Sequence, residues 1–163
     1  ILSAQHGVEP AITKIHDVHA ADDNRFSLDE DTLTAIDDLG LQLVPVTDKN
    51  VMGRLAHYDI IRCLGRGGMG TVFEAFDSKL YRPVAIKFMA SSLAASSKAR
   101  SRFLREARVA ASINHPNVVT IHSVDEYENR PYLVMEFVPG ITLQDQVRNF
   151  GPMALGDVLR ISR

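Results

Sequence analysis

Cysteine is nearly absent. Cys63 is the only one in 163 residues, so no intrachain disulfide can form, and the composition fits a reducing compartment. Long apolar runs are missing too: no stretch approaches the roughly 20 residues that a bilayer crossing needs. The start, "ILSAQHGVEP", lacks the basic and apolar regions of a signal peptide. No membrane contact is expected from this segment, and a cytoplasmic location is the default. There is no excess of positive charge. With 18 Lys+Arg against 20 Asp+Glu, and no stripe of interleaved basic and aromatic residues, nucleic acid is not an expected partner. His6, His16 and His19 lack metal-ligand spacing and have a single cysteine to draw on, so no metal site is expected.

What is present is a soluble composition, 45% apolar, of a length that suits about one domain. Its charge is unevenly spread. Residues 1–56 hold 4 Lys+Arg against 10 Asp+Glu, a net −6, whereas residues 57–163 hold 14 against 10, a net +4. The shift divides the chain into an acidic amino-terminal extension, 1–56, and a second unit, 57–163. The extension is expected to be solvated and flexible, with one short helix in "SLDEDTLTAIDDLG". There Ser27 and Glu30 have capping-box spacing, acids fill the first turn, and Gly40 is the stop. The chain begins with Ile rather than Met and ends in "LGDVLRISR", a helix still under way, so it reads as a fragment.

From "HYDIIRCLG" onward the chain reads as short strands. "TVFEAF" and "RPVAIKFMA" complete three consecutive antiparallel ones, and "VVTIHSV" and "RPYLVMEFV" supply two more. "SSLAASSKA" is a connector with serines open to phosphorylation. It leads into a helix through "SKARSRFLREARVAASIN". At roughly 100° per residue, Phe103, Leu104, Ala107, Ala110, Ala111 and Ile113 share one arc of it, with Ser101, Arg105 and Arg108 opposite. Glu106 falls on the apolar side, where a carboxylate needs a cation. The basic face suits solvent or a phosphorylated partner segment. Two amphipathic helices, in "ITLQDQVRNFG" and "MALGDVLRIS", follow Gly140.

The chemistry concentrates in two places. Gly65, Gly67 and Gly70 form GxGxxG, extended by Val72, a spacing shared by dinucleotide folds and simple turns. A dinucleotide fold requires a helix to begin at the glycines; here Thr71 to Phe76 are strand formers, which makes the loop a hairpin. Such a hairpin brings backbone N–H groups close to phosphate oxygens. In "VAIK", Ala85 and Lys87 face one way and Val84, Ile86 and Phe88 the other. A small residue beside a cation leaves room for a flat base and reaches its phosphates. Lys87 lies 17 residues after Gly70 and 19 before Glu106, the carboxylate in want of a cation.

Together with "HPNVV" and "YLVMEFVPG", these motifs resemble the amino-terminal lobe of the eukaryotic-like protein kinases, in particular bacterial serine/threonine kinases with a "GRGGMG" loop. The resemblance spans about residues 57–163. It implies an α+β fold: a five-stranded antiparallel sheet with one C-helix, plus the start of the helical carboxy-terminal lobe. It further implies that Gly65, Arg66, Gly67, Gly68, Met69 and Gly70 cover the phosphates of ATP, that Lys87 binds its α- and β-phosphates, and that Glu106 pairs with Lys87. Leu64, Val72 and Ala85 would enclose the adenine, with Met135 as gatekeeper and the backbone of Glu136 and Val138 as hinge. Thr142 and Asp145 would approach the ribose.

The family's His-Arg-Asp, Asp-Phe-Gly and Ala-Pro-Glu motifs do not occur in these 163 residues. Its catalytic base and Mg²⁺ ligands reside there, so by this resemblance they are expected in a carboxy-terminal lobe. The expected function is that of the ATP-binding part of an enzyme that transfers the γ-phosphate to Ser and Thr hydroxyls of protein substrates. By themselves the 163 residues are expected to transfer no phosphate. The other reading is a pseudokinase lobe that binds nucleotide or docks partners without catalysis. A segment outside this chain could tether the whole protein to a membrane.

Overall fold

A computed structural model describes residues 30–161. The glycine-rich stretch and its neighbours form a continuous antiparallel meander, β2 (Tyr58–Gly67), β3 (Gly70–Asp77) and β4 (Arg82–Met89), with β1 (Gly53–Leu55) ahead of it. The chain then leaves the sheet through two helices, α2 (Ser91–Ala94) and α3 (Ser97–Ala111), and returns as the hairpin β5 (Ile121–Tyr127) and β6 (Arg130–Glu136). Strand β6 pairs with β4, so the sheet runs β1-β2-β3-β4-β6-β5, antiparallel throughout.

The sheet has six strands where five were expected. The sixth, β1, is three residues long and turns back on β2 through Ala56, whose φ is 53°. "GRL" is too short to announce a strand. It forms because a tight turn folds it onto Tyr58–Ile60 while Gly53 and Leu55 are buried.

Residues 30–55, expected as part of a flexible extension, are packed. Helix α1 (Glu30–Leu39) buries Thr32, Ala35 and Leu39, spaced by three and four residues, against the sheet. It ends at Gly40, φ 59°, in a Schellman arrangement: the N–H of Leu41 donates to Ile36 O at 3.0 Å. Ala35, Leu39, Leu41 and Leu55 join Ile60, Phe73, Val84, Ile86, Phe88, Tyr132 and Val134 in the main core. Phe88 lies edge-on to Phe73, with ring centroids 6.0 Å apart, and packs on Tyr132 at 5.2 Å. The acidic side chains of α1 stay in water while its apolar stripe seals one face of the sheet. His6, His16, His19 and Ser27 lie outside the described residues.

Helix α3 is capped by Ser96, whose hydroxyl accepts from the Ala99 N–H at 3.3 Å. Of its expected apolar arc, Ala107 is buried and Phe103, Leu104 and Ala110 are half-buried. Ala111 and Ile113 are exposed, because the helix stops at Ala111 and Ile113 no longer follows its period. After β6 come α4 (Leu143–Phe150) and α5 (Leu155–Ile161), neither with a buried residue. Among the described residues, no helix is long and apolar enough to cross a membrane.

Candidate nucleotide-binding site

Directly opposed residues of an antiparallel sheet share a face. Glu74, Ala85 and Met135 therefore line one row, and Val72, Lys87 and Leu133 the next. Both rows lie on the face away from α1. The expected alternation in "VAIK" is seen directly: Val84, Ile86 and Phe88 belong to the sealed core, while Lys87 is half-buried on the other side. Ala85, 4% exposed, is the small side chain of its row, between Glu74 and Met135.

The glycine-rich stretch is a strand-to-strand hairpin. Gly67 pairs with Gly70 across the turn Gly68–Met69, and two register shifts, between Ile60 and Arg62 and between Cys63 and Gly65, bend β2 on the way. Gly70 is required by the fold itself: its φ is 146°, and a Cβ there would lie 1.9 Å from the carbonyl oxygen of Phe88. Gly65, Gly67 and Gly68 differ. Among the described residues, nothing beyond their own chain neighbours comes within 4 Å of where their Cβ would be. Packing therefore does not account for these three, and the space they leave is open to a ligand.

Beneath the tip lies a cavity of about 270 Å³, lined by Met69, Lys87, Met89, Leu93, Ala99, Arg102, Phe103 and Glu106. The hairpin, the lysine and the glutamate thus meet around one space, although they come from three elements. Met69 is held over it by its carbonyl, which accepts from the Ala90 N–H at 3.3 Å.

The expected Lys87–Glu106 ion pair is not formed. Glu106 instead accepts from Arg102 Nε at 2.7 Å, one turn back on the same helix. That hydrogen bond holds the carboxyl below its ordinary pKa against an opposing desolvation; the charges of Arg102, Arg105 and Lys87 add weaker, through-space attraction. The physical reason is proximity. On a helix the residue four back is a neighbour of an exposed carboxylate, whereas Lys87 stands on a different element. Glu106 was placed on the apolar side, but its side chain is 56% exposed.

At the far end of the site, Leu64 is 39% exposed beside the hairpin, and Val138 lies just past the end of β6, 61% exposed. Glu136 is anchored: its N–H donates to Thr120 O at 2.8 Å, and its carboxylate accepts from the Thr120 N–H at 3.2 Å. Thr142 and Asp145 are occupied with each other as the cap of α4, and Arg148 holds Asp145 at 2.6 Å. Met89, Leu93, Arg102 and Phe103 were not foreseen as lining residues. The helical wheel that put Glu106 beside Phe103 was the one signal for them.

Residues 58–161 match the family model of the protein kinase domain, and the chain belongs to that family. Among curated proteins, it is 40% identical over 113 residues to the serine/threonine-protein kinase PrkC of Bacillus subtilis, covering 69% of this chain and 17% of that one. It is 42% identical over 105 residues to the probable serine/threonine-protein kinase PknB of Lactococcus lactis, 64% of this chain and again 17% of the relative. Among solved structures, the PknI kinase domain of Mycobacterium tuberculosis superposes with a TM-score of 0.55 at 31% identity, over 64% of this chain and 43% of that domain. The chain therefore spans about a sixth of the length of these curated relatives, and its relatives are bacterial serine/threonine kinases. As a family, protein kinases use ATP with Mg²⁺ and act on proteins.

Proposed function

We propose that this chain is the ATP-binding lobe of a serine/threonine protein kinase, one that transfers the γ-phosphate of ATP to hydroxyls of protein substrates. One observation carries the reading: the tip of the glycine hairpin, Lys87 and Glu106 surround a single cavity on the open face of the sheet. The three unfilled glycines let the backbone N–H groups of the hairpin approach phosphate oxygens, and Lys87 supplies a point charge below them. Leu64, Val72 and Ala85 enclose the base, Met135 limits its depth, and the backbone of Glu136 and Val138 meets its edge. Glu106 would orient Lys87 once α3 turns toward β4.

These residues position and neutralise the nucleotide, and in phosphoryl transfer positioning and neutralisation account for most of the catalysis. Among the described residues, no three His, Cys, Asp or Glu side chains converge. In this reading the metal ligands and the base that takes the substrate's proton come from a carboxy-terminal lobe, as the family's motifs imply. The exposed Leu143, Val147, Phe150 and Leu155 of α4 and α5 are consistent with a further apolar layer there.

The test compares residues 1–163 with the chain extended through a carboxy-terminal lobe, each with Mg²⁺, labelled ATP and a basic protein substrate. The extended chain is expected to transfer phosphate and to lose the activity in Lys87→Met, while the short chain transfers none. Transfer by the short chain that Lys87→Met abolishes would overturn the division of labour. Binding without transfer by the extended chain would favour a pseudokinase.

A further inference from the structure

Helix α1 precedes the segment that matches the kinase family, yet its contacts run to the part of the sheet that the proposed nucleotide site depends on. Among the described strands, β1 ends its pairing with β2 at Ile60, so the part of β2 that carries the glycine loop runs beyond β1. At Cys63, beside the second bulge, the N–H turns outward and is accepted by Thr32 Oγ1 of α1 at 2.7 Å, a buried hydroxyl. Farther along, the guanidinium of Arg66, within the loop, meets the carboxylate of Asp38 in the last turn of α1. Asp38 is fixed from behind: its carbonyl accepts from Ser91 Oγ at 2.9 Å, and Ser91 Oγ accepts from Arg130 at 2.7 Å. Two contacts six residues apart on α1 thus grip the hairpin at two heights, and a third anchors the grip to the start of α2 and the β5–β6 turn.

We propose that Thr32 and Asp38 are positioning residues for nucleotide binding, and that α1 is a brace holding the glycine-rich hairpin over the phosphate end of the site. The proposal rests on the nucleotide reading of the cavity. Its physical basis is pre-organisation. Besides α1, its own ladder, β4 and the Ala90 N–H bonded to Met69 O hold the hairpin, while the places where a Cβ of Gly65, Gly67 or Gly68 would sit stay open among the described residues. A loop this open must be ordered when phosphate binds, and each contact that orders it beforehand reduces that cost. Arg66 reaches α1 from the face opposite Lys87, so the brace acts on the backbone of the loop and adds no ligand-contacting atom. Its effect should therefore fall on the phosphates and spare the base.

The experiment uses the full-length protein and two probes, a non-hydrolysable ATP analogue and adenosine. Asp38→Asn is expected to weaken the ATP analogue about threefold, within the roughly fivefold range of an exposed charge pair, with adenosine and the melting temperature unchanged. Asp38→Glu should restore binding. In an Arg66→Gln background, Asp38→Asn should have no further effect, because the pair is already broken. Thr32→Val, which risks the fold because Thr32 is buried, is read instead by hydrogen exchange of the Arg66–Gly70 amides, expected to quicken. Equal loss for the ATP analogue and adenosine, an Asp38 effect that persists without Arg66, or no effect in either Asp38→Asn or Thr32→Val would overturn the brace. Lys87→Met separates the two readings. If it abolishes binding of the ATP analogue while Asp38→Asn changes nothing, only the brace fails; if it binds normally, the nucleotide site fails and the brace with it.

Discussion

The two faces of the sheet are built from alternating residues of the same strands, yet they have opposite fates. The face of Phe73, Val84, Ile86 and Phe88 is closed by α1 into a core whose members are almost wholly buried. The face of Val72, Ala85 and Lys87 is left with a small residue at its centre, a cation at its rim and a cavity under the glycine hairpin. Stability and chemistry are separated by one step along the chain, and a period of two makes that separation sharp. A substitution at position 86 or 88 should therefore act on folding, and one at 85 or 87 on ligand binding.

The largest effect is expected on the sealed face. Phe88→Ala removes a ring packed on both Phe73 and Tyr132 and should cost about 3–5 kcal/mol, read from denaturant unfolding. A loss below about 1 kcal/mol would mean that α1 does not close this face in solution. Next is Ala85→Leu, which puts a bulky side chain beside Met135 on the face of Lys87. ATP-analogue affinity should fall about ten- to hundredfold with a smaller change in stability. Arg66→Ala at the loop should cost only a few-fold, within the range of an exposed ion pair, and equal losses in the two variants would place the base elsewhere.

A smaller change tests the partner of Glu106. Arg102→Ala removes the group that holds the Glu106 carboxyl below its ordinary pKa, so its titration should move upward, read by NMR of the labelled carboxyl. Addition of nucleotide should then bring it down again if Lys87 takes over. No movement on loss of Arg102 would show that the helix pair is not the controlling contact. The smallest effect concerns His122, whose pKa is lowered first by burial and then by Arg82. The folded chain resists protonation there while the unfolded chain accepts it. Stability from this residue is thus intact above the ordinary value of 6.5 and declines as the pH falls below it. His122→Gln should flatten the melting temperature between about pH 5 and 7.

How much of this was legible depends on how local the signal is. The hairpin was readable because three glycines followed by Thr71–Phe76 leave no room for a helix start. The facing of Ala85 and Lys87 was readable because strand alternation is a two-residue rule. Helix α1 could be located by its acids and by Gly40, but not its docking, since Ala35 and Leu39 share a core with residues tens of positions away, among them Phe73, Val84 and Val134. The charge shift near residue 50 suggested a solvated lead because it counts the outer face of α1 and misses the three residues on its inner one. Strand β1 escaped for want of length, and Glu106 was assigned a partner across space when a nearer one stood four residues away.

Short-range order along the chain was enough to establish the kinase family motifs, the hairpin and the side of the strand on which Lys87 stands, because backbone sterics and side-chain period act over a few residues and admit few alternatives. Which face of the sheet is sealed, what holds the glycine loop from behind and whether Glu106 meets Arg102 or Lys87 were decided only by the packing of distant segments. Those outcomes depend on how helices α1 and α3 seat on the sheet, and the seating is set by contacts between segments that local backbone preference does not reach.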